Sequence, residues 1–390
     1  MAKKIPPAPA KAADPARAEA SDVLREPAEV RYADQIEALR QHDAEAPPAN
    51  WRLSPRSVLA YVTGGKTLRA TIGGKVIDVP ITRKFFGDDG LVERSIVTLA
   101  SERALLLVGE PGTGKSWLSE HLAAAVTGSS TLTIQGTAGT TEEHIKYSWN
   151  IARVIAEGPT PGNLIPSPTM IAMRAGGLLR FEELTRCVPD VQDALVSILS
   201  DKAIAVPELP GSSMVFARPG FNVIATANTR DQGVNELSAA LKRRFNYVFI
   251  PIVGDQKTEV EIVQQRSEEL LRRYDLPAKI SPPVIELLAT VFREIRDGRT
   301  ADGVSLKKPS TTLSTAEAIG VALDATLHAR FFGGGEVGPA DVARNIVGAV
   351  VREDQEDRAA LKEYATLVAR KRGASDGAWK AFYDALIDQL

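Results

Sequence analysis

Uninterrupted apolar runs alternate with helix-like stretches along the middle of the chain. Such runs are typical of strands that are buried on both faces of a parallel sheet. The stretches between them carry apolar residues every three or four positions, as helices packed on a sheet do. The predicted strands are residues 104–108, 131–135, 177–183, 221–228 and 247–250. The pattern predicts an α/β domain over residues 88–254, with a five-stranded parallel sheet between helices.

Strand-like runs end near residue 254, and every later apolar pattern has helical spacing. A change of this kind indicates a domain boundary. We expect a helical domain over residues 255–350 and further helices over residues 351–390. The predicted helices cover residues 257–274, 282–297, 314–329, 339–354 and 358–372.

The N-terminal region differs in composition from the rest of the chain. Residues 1–50 are expected to be a disordered tail rich in alanine and proline, with one short amphipathic helix at residues 29–41. The sequence pattern of residues 51–87 predicts a small helix followed by a β-hairpin that turns at Gly73-Gly74.

Composition excludes several broad classes of protein. The 390 residues carry a net charge of −2, so no global basic field favours nucleic acid or an anionic membrane. No apolar run approaches the roughly 20 residues of a membrane span, and no signal peptide is recognisable. The one cysteine, Cys187, cannot form an intrachain disulfide, and the four histidines lack metal-ligand spacing. We expect a cytoplasmic protein.

A phosphate-binding motif follows the first predicted strand. The pattern G-x-x-x-x-G-K-[ST] is matched by Gly109, Glu110, Pro111, Gly112, Thr113, Gly114, Lys115 and Ser116, and a helix continues from Trp117. The glycines let backbone N–H groups surround an anion, and the helix N-terminus adds partial positive charge. Lys115 is expected to reach the β- and γ-phosphates of a nucleoside triphosphate, and the Ser116 hydroxyl is expected to bind Mg²⁺. The predicted nucleotide-binding residues run from Gly109 to Trp117.

Two acids, Glu182 and Glu183, end the third predicted strand. We expect this strand to lie next to the strand that precedes the phosphate-binding motif, or P-loop. There it would place both carboxylates beside the γ-phosphate. Mg²⁺ prefers oxygen ligands, so Glu182 is expected on the metal or its water shell. Glu183 is expected to orient or deprotonate the attacking water. The alternative is an acid pair that only stabilises the N-terminus of the next helix.

Polar residues near the last two strands extend the predicted site. Asn228 ends the fourth strand, where its amide can hold the attacking water or the γ-phosphate; a turn-forming asparagine is the alternative. Arg243 and Arg244 precede the fifth strand. If subunits form a ring, one of these arginines can reach the γ-phosphate bound by a neighbour. A solvated basic face and a nucleic-acid patch are the alternatives.

Taken as a set, these motifs resemble the AAA+ ATPases and, in detail, their MoxR branch. The resemblance covers about residues 88–330. Besides the P-loop, the acid pair, Asn228 and the arginine pair, it is carried by Gly158-Pro159, Ala175-Gly176-Gly177, residues 191–195 and residues 222–228. The predicted hairpin at residues 203–218 resembles the helix-2 insert of that family.

The resemblance implies ATP and Mg²⁺ as ligands and assigns a role to each motif. The P-loop matches Walker A, while Glu182 and Glu183 match Walker B with Glu183 as the catalytic acid. Asn228 matches sensor 1. Arg244 matches the arginine finger, and Arg243 is able to share or replace it.

Proteins similar to the MoxR branch form hexameric rings and often act as chaperones. The resemblance therefore implies an oligomeric ATPase that remodels or matures partner proteins, including proteins with a von Willebrand factor A domain. A nucleic-acid motor and a nucleotide-gated scaffold with little turnover are the alternative functions. The slightly negative net charge disfavours the motor and nucleic-acid partners.

Two positions depart from the family's pattern. Glu182 stands where aspartate is usual, and its longer side chain can still contact Mg²⁺ through water. The helical domain at residues 255–350 corresponds to the family's lid, in which we place the sensor-2 arginine position at Thr312. Lys307 or Lys308 is a candidate substitute, and without one the subunit has no sensor 2 of its own.

Overall fold

The computed structural model describes residues 23–209, 213–228, 235–273, 280–310, 313–351 and 355–390. Residues 1–22 of the expected tail and the expected sensor-2 position, Thr312, lie outside the described residues. The chain divides into two compact units. The first comprises Met1–Leu107, Ser116–Ala227 and Gly233–Val248, and the second comprises Val108–Lys115, Asn228–Gln232 and Phe249–Leu390.

The first unit begins with helices and a hairpin. Its first elements are α1 (Ala28–Arg31), α2 (Ala33–Gln41), α3 (Pro55–Thr63), β1 (Lys66–Ile72), β2 (Lys75–Ile81) and α4 (Asp89–Leu99). The single helix predicted at residues 29–41 is two helices that break at Tyr32. Ala28, Ile36 and Leu39 are buried, so this stretch of the expected tail packs into the unit. The predicted hairpin is present as the antiparallel pair β1–β2.

From residue 104 onward, strands and helices alternate. The strands are β3 (Ala104–Gly109), β4 (Thr133–Gln135), β5 (Tyr147–Trp149), β6 (Leu164–Pro166), β7 (Leu178–Glu182), β8 (Ala203–Val206), β9 (Ser213–Phe216), β10 (Asn222–Asn228) and β11 (Phe245–Ile250). The helices are α5 (Lys115–Thr127), α6 (Glu142–Ile145), α7 (Ile151–Glu157), α8 (Pro168–Ala175), α9 (Pro189–Ser200) and α10 (Ala239–Lys242). Five strands form one parallel sheet, while β5–β6 and β8–β9 are separate antiparallel hairpins. The predicted α/β fold class is confirmed.

The strand order of the sheet is β11-β3-β10-β7-β4. The prediction that the acid-pair strand lies next to the P-loop strand is wrong, because β10 separates β7 from β3. A long connection through α9 and the β8–β9 hairpin lets the later strand insert between two earlier ones. Every residue of β3 is buried, which agrees with its uninterrupted apolar sequence.

The second unit is helical after residue 254, as predicted. Its helices are α11 (Gln256–Arg273), α12 (Pro282–Asp297), α13 (Thr315–Phe332), α14 (Pro339–Val350), α15 (Gln355–Tyr364), α16 (Arg370–Gly373) and α17 (Gly377–Ile387), and a π-helical turn, Ala365–Ala369, joins α15 to α16. One apolar cluster runs from Val263 to Leu386 and includes Phe292, Tyr364 and Phe382. Apolar packing therefore continues across residue 350, where the sequence pattern suggests a division. Along the described part of the chain, no helix is both long and apolar enough to span a bilayer.

Candidate nucleotide site

The predicted P-loop connects β3 to α5. Gly112 (φ 75°) and Gly114 (φ 86°) adopt the left-handed backbone conformation that favours glycine. Lys115 is buried, and its Nζ donates to the carbonyl oxygens of Gly109 at 3.0 Å and Glu110 at 2.7 Å. The Lys115 side chain therefore folds back onto its own loop, where it is expected to bind the phosphates of the nucleotide.

Glu182 is held by four donors. Its side chain is buried, and its Oε2 accepts from Ser116 Oγ at 2.7 Å and Thr226 Oγ1 at 2.8 Å. Its Oε1 accepts from Ser119 Oγ and from Arg180 Nη2, the latter at 2.9 Å. The structure thus brings together the two predicted magnesium ligands, Ser116 and Glu182.

Arg180 ties β7 to the P-loop helix and to the segment before β4. Its Nε donates to Ser119 Oγ at 3.0 Å, and its Nη2 donates to the Ser116 carbonyl at 3.1 Å. Its Nη1 donates to the Ser130 carbonyl at 2.9 Å. Sequence reasoning missed Arg180, although an arginine inside an apolar strand is a signal, since a charge in a sheet needs partners. Nothing in the local sequence marks Ser119 or Thr226.

Glu183 is placed quite differently from its neighbour. Its backbone is left-handed (φ 53°), a costly conformation for a residue with a side chain and one that clusters at functional sites. Its side chain is 37% exposed and forms an ion pair with Arg186. Its N–H donates to Thr226 Oγ1 at 2.9 Å. Because Thr226 also donates to Glu182, one threonine links the two acids.

The donor set at Ser116 and Glu182 fits Mg²⁺. One hydroxyl and one carboxylate supply hard oxygen atoms, and Mg²⁺ in nucleotide sites takes its other ligands from water and phosphate. The carboxylate is fixed by neighbours on three elements, α5, β7 and β10. A carboxylate held in this way presents its oxygen atoms in one orientation.

Arg243 and Arg244 both line a cleft of the first unit with a volume of ≈ 740 Å³. Arg244 is half-buried, with its Nε donating to Ser200 Oγ and its Nη1 to the Ala240 carbonyl. Arg243 is exposed, and its carbonyl accepts from Arg103 Nη2 at 2.7 Å. The two predicted finger residues therefore differ in how firmly their own unit holds them.

The cleft is strongly cationic. Its charged lining consists of five cations and one carboxylate: Arg103, Lys202, Arg218, Arg243, Arg244 and Glu102. Burial lowers the pKa of the Lys202 ammonium, and its Nζ donates to the Glu102 carbonyl at 2.8 Å. This excess of positive charge is local and could not be inferred from a net charge of −2.

The remaining predicted residues lie elsewhere. The indole of Trp117 donates to the Lys84 carbonyl at 2.9 Å, and the Arg31 guanidinium stacks 4.9 Å from its ring centre. Its side chain is therefore engaged with the N-terminal segment. Asn228 is the last residue of β10 and is half-buried.

Neither candidate lysine lines the small cavity that adjoins the P-loop in the second unit. Lys307 Nζ is 3.9 Å from a carboxylate oxygen of Glu363. A small cavity in this unit is lined by Pro111, Gly112, Thr113, Ile252, Val253, Arg296, Leu313, Ser314 and Thr315, and its lining includes neither Lys307 nor Lys308. The cation in the lining of this cavity is Arg296, which sequence reasoning missed because α12 carries several arginines and no motif distinguishes them.

Two family models match the chain. The model described as AAA domain (dynein-related subfamily) matches residues 104–245, which contain the sheet and both acids. The model described as YehL-like AAA+ ATPase C-terminal domain matches residues 257–388, which contain the helical unit.

Three curated relatives add to this result. The chain is 43% identical over 365 residues to the protein YehL of Escherichia coli (strain K12), covering 93% of this chain and 96% of YehL. It is 27% identical over 182 residues to gas vesicle ATPase GvpN of Haloferax mediterranei, covering 43% of this chain and 52% of the relative. It is 24% identical over 235 residues to gas vesicle ATPase GvpN1 of Halobacterium salinarum, covering 55% and 64%. With its P-loop, buried Walker-type glutamate and matched helical domain, the chain belongs to the YehL-like family of AAA+ ATPases.

Proposed function

We propose that the chain binds ATP with Mg²⁺ and hydrolyses it within a MoxR-like oligomeric ring. The observation that carries the proposal is the 2.7 Å contact between Ser116 Oγ and Glu182 Oε2. It joins the P-loop helix to the acid-pair strand at the position where a nucleotide-bound metal needs oxygen ligands. The two gas vesicle relatives are named as ATPases, which supports the same reaction class.

Each residue of the site has a separate task in this proposal. The P-loop N–H groups and Lys115 bind the β- and γ-phosphates. Ser116 and Glu182 hold Mg²⁺, which when bound neutralises charge on the phosphate oxygens. Glu183 orients the attacking water and accepts its proton, and Asn228 holds that water or the γ-phosphate.

The cationic cleft supports the oligomeric part of the proposal. A surface with four more cations than carboxylates suits a phosphate-bearing partner. In a ring, Arg244 or Arg243 would act on the γ-phosphate held by the neighbouring subunit, an effect worth roughly 10³- to 10⁵-fold in rate in other systems. From the resemblance to the MoxR branch, we further propose that the ring is hexameric and cytoplasmic. Its client would be a protein, including one with a von Willebrand factor A domain.

The decisive experiment separates ATP binding from turnover. Glu183→Gln should bind ATP with Mg²⁺ as tightly as the parent chain and lose hydrolysis, because the amide cannot accept the proton of the attacking water. Lys115→Ala is the control and should lose ATP binding itself. Binding is measured by titration calorimetry and turnover by phosphate release.

Other outcomes of this assay distinguish the alternatives. Normal turnover by the Glu183→Gln variant would show that Glu183 does not take part in ATP hydrolysis. ATP binding without turnover in the parent chain favours a nucleotide-gated scaffold. Strong, salt-sensitive stimulation of the parent chain by DNA or RNA favours a nucleic-acid motor.

A further inference from the structure

Residues 25–41 form an N-terminal segment that is ion-paired to α5, the helix that follows the P-loop. Glu120 on α5 accepts from Arg25 Nη2 at 2.6 Å and from Arg31 Nη2 at 2.9 Å. The Glu120 side chain is only 5% exposed, so these two arginines take the place of water as its partners. Two ion pairs therefore fasten the N-terminal segment to the helix.

A further contact lies beside the predicted metal ligand Ser116. Trp117 directly follows Ser116, and the Arg31 guanidinium stacks 4.9 Å from the centre of the indole ring. Trp117 and Glu120 are three positions apart on α5, so they lie on the same face of the helix. By holding both side chains, Arg31 restrains the first turn of α5, which contains Ser116.

A separate chain of contacts joins the N-terminal segment to Glu182. Glu29 Oε1 accepts from the Ser130 N–H at 3.0 Å, and the Ser130 carbonyl accepts from Arg180 Nη1 at 2.9 Å. Arg180 Nη2 donates in turn to Glu182 Oε1 at 2.9 Å. Glu29 and Arg180 thus hold the two backbone groups of one residue, and Arg180 also holds the carboxylate of Glu182.

The two routes end on the two partners of one hydrogen bond. Ser116 Oγ on α5 donates to Glu182 Oε2 at the end of β7, at 2.7 Å. Mg²⁺ demands near-ideal octahedral geometry, so a small displacement of either partner weakens metal binding. Groups that lie behind metal ligands and orient them commonly affect the affinity for the metal. Contacts that hold α5 and Arg180 therefore bear on the proposed metal site.

We propose that the N-terminal segment positions the Mg²⁺ site, so that docking of the segment and binding of nucleotide with Mg²⁺ favour each other. Arg31 and Glu29 are the positioning residues; Arg31 acts through α5 and Glu29 acts through Ser130 and Arg180. Because coupling between two sites is reciprocal, bound nucleotide and metal should also hold the segment against α5. This inference rests on the proposed function, since it needs the nucleotide and its metal at the P-loop.

The first measurement compares the affinity of the full chain for ATP in Mg²⁺ with its affinity for ATP in EDTA, by titration calorimetry. Arg31→Met and Glu29→Ala should each weaken binding in Mg²⁺ about fivefold, at the lower end of couplings between sites. Binding in EDTA should change less than about twofold, because the P-loop N–H groups hold phosphate without the metal ligands. A segment with only a structural role would not alter the ratio of the two affinities.

Arg40 provides a matched control within the same segment. Its Nη2 is 2.7 Å from Oε1 of Glu37 on the same helix, and 55% of its side chain is exposed. Arg40→Met therefore removes an arginine and an ion pair of the segment while leaving the contacts to α5 and Ser130 in place. Both affinities of this variant should equal those of the parent chain.

A neutral double variant protects the test against misfolding. Arg31→Met/Glu120→Gln removes both charges of the part-buried pair, and Arg25, which is 63% exposed, remains solvated. This variant should unfold near the parent temperature and show the same loss of affinity in Mg²⁺. If it is folded and keeps the parent's ratio of affinities, Arg31 has no positioning role.

Hydrogen exchange tests the reciprocal effect. ATP with Mg²⁺ should slow amide exchange of residues 28–41 in the parent chain about fivefold, the same factor as in the affinity measurement. ATP in EDTA should not slow it, and neither should ATP with Mg²⁺ added to Lys115→Ala. Unchanged exchange in a parent chain that has bound ATP with Mg²⁺ overturns this inference and leaves the proposed function intact. If the parent chain binds no ATP, the proposed function fails and this inference fails with it.

Discussion

A buried glutamate held by arginine and hydroxyl groups is found in each unit, Glu182 in the first and Glu259 in the second. In the first unit, Glu182 accepts from Arg180 and from the hydroxyls of two serines and one threonine. In the second unit, Glu259 accepts from Arg296, Arg293 and one threonine hydroxyl. Both side chains are almost inaccessible to solvent, so both carboxylates depend on these partners for the hydrogen bonds that water cannot supply.

The two clusters differ in the partners of the glutamate and therefore in what each cluster can do. Glu182 and Arg180 balance each other, and the remaining partners are neutral hydroxyls, so the first cluster offers oxygen atoms to a cation. Glu259 faces two arginines, and Asp297 lies 3.7 Å from one of them, so the second cluster is an ion-pair network that ties α11 to α12. The same residue type thus serves a proposed metal site in one unit and the packing of two helices in the other.

Removing the charge of Glu182 should have the largest effect on ATP turnover. Glu182→Gln is expected to lower Mg²⁺-dependent ATP turnover by roughly 100-fold, since a metal contact supplies several kcal/mol to the transition state. Turnover is measured across a range of Mg²⁺ concentrations. Glu259→Gln is the matched control and should keep the parent's Mg²⁺ dependence. An unchanged Mg²⁺ dependence in Glu182→Gln would show that Glu182 does not bind the metal.

Truncating Glu259 should affect folding most. Glu259→Ala is expected to lower the free energy of unfolding by about 3–5 kcal/mol, because it leaves Arg296 without its buried counter-charge and with only the exposed Asp297 nearby. The side chain of Arg296 is only 7% exposed, so water cannot replace the lost partner. Urea denaturation followed by far-ultraviolet circular dichroism measures the change. The control is the pair of Lys146 and Glu142, in which the glutamate side chain is 60% exposed, so Glu142→Ala should change stability little. Equal effects at the two sites would contradict the buried role of Glu259.

Replacing either of the two threonines that donate to these glutamates, Thr226 or Thr315, should have the smallest effect. Thr226→Val removes a 2.8 Å hydrogen bond to Glu182 and the acceptor of the Glu183 N–H, at an expected cost of about 1–2 kcal/mol. Thr315→Val removes one longer bond of 3.2 Å and should cost less. Chemical denaturation measures both costs, and phosphate release should fall further in Thr226→Val, because this threonine links both acids. A larger loss of stability in Thr315→Val would reverse the expected order.

Much of the fold follows from local sequence signals. Helix and strand positions follow apolar spacing, and the P-loop follows glycines at positions that require left-handed backbone, as at Gly112 and Gly114. The strand order could not be predicted in this way. Whether β10 lies between β3 and β7 depends on the path of a long connection, and apolar runs of similar composition do not specify their neighbours.

The candidate site was predictable only in part for the same reason. Glu182 and Ser116 carry motif signals, whereas Thr226 and Arg296 have none, because their importance depends on which side chains they meet. Trp117 directly follows the motif, yet its side chain is engaged with Lys84 and Arg31, which belong to a segment before the sheet. Proximity in sequence to a P-loop does not decide the direction of a side chain.

By itself, the sequence determined the P-loop conformation, the alternation of strands and helices, and the change to helices near residue 254. These properties depend on steric limits and apolar spacing within a few residues of each position. The tertiary structure alone decided that Ser116 meets Glu182, 66 residues away, and that Arg296 meets Glu259, 37 residues away. Such contacts depend on strand order and helix packing, because a buried charge takes whichever partner the folded backbone brings within hydrogen-bonding distance.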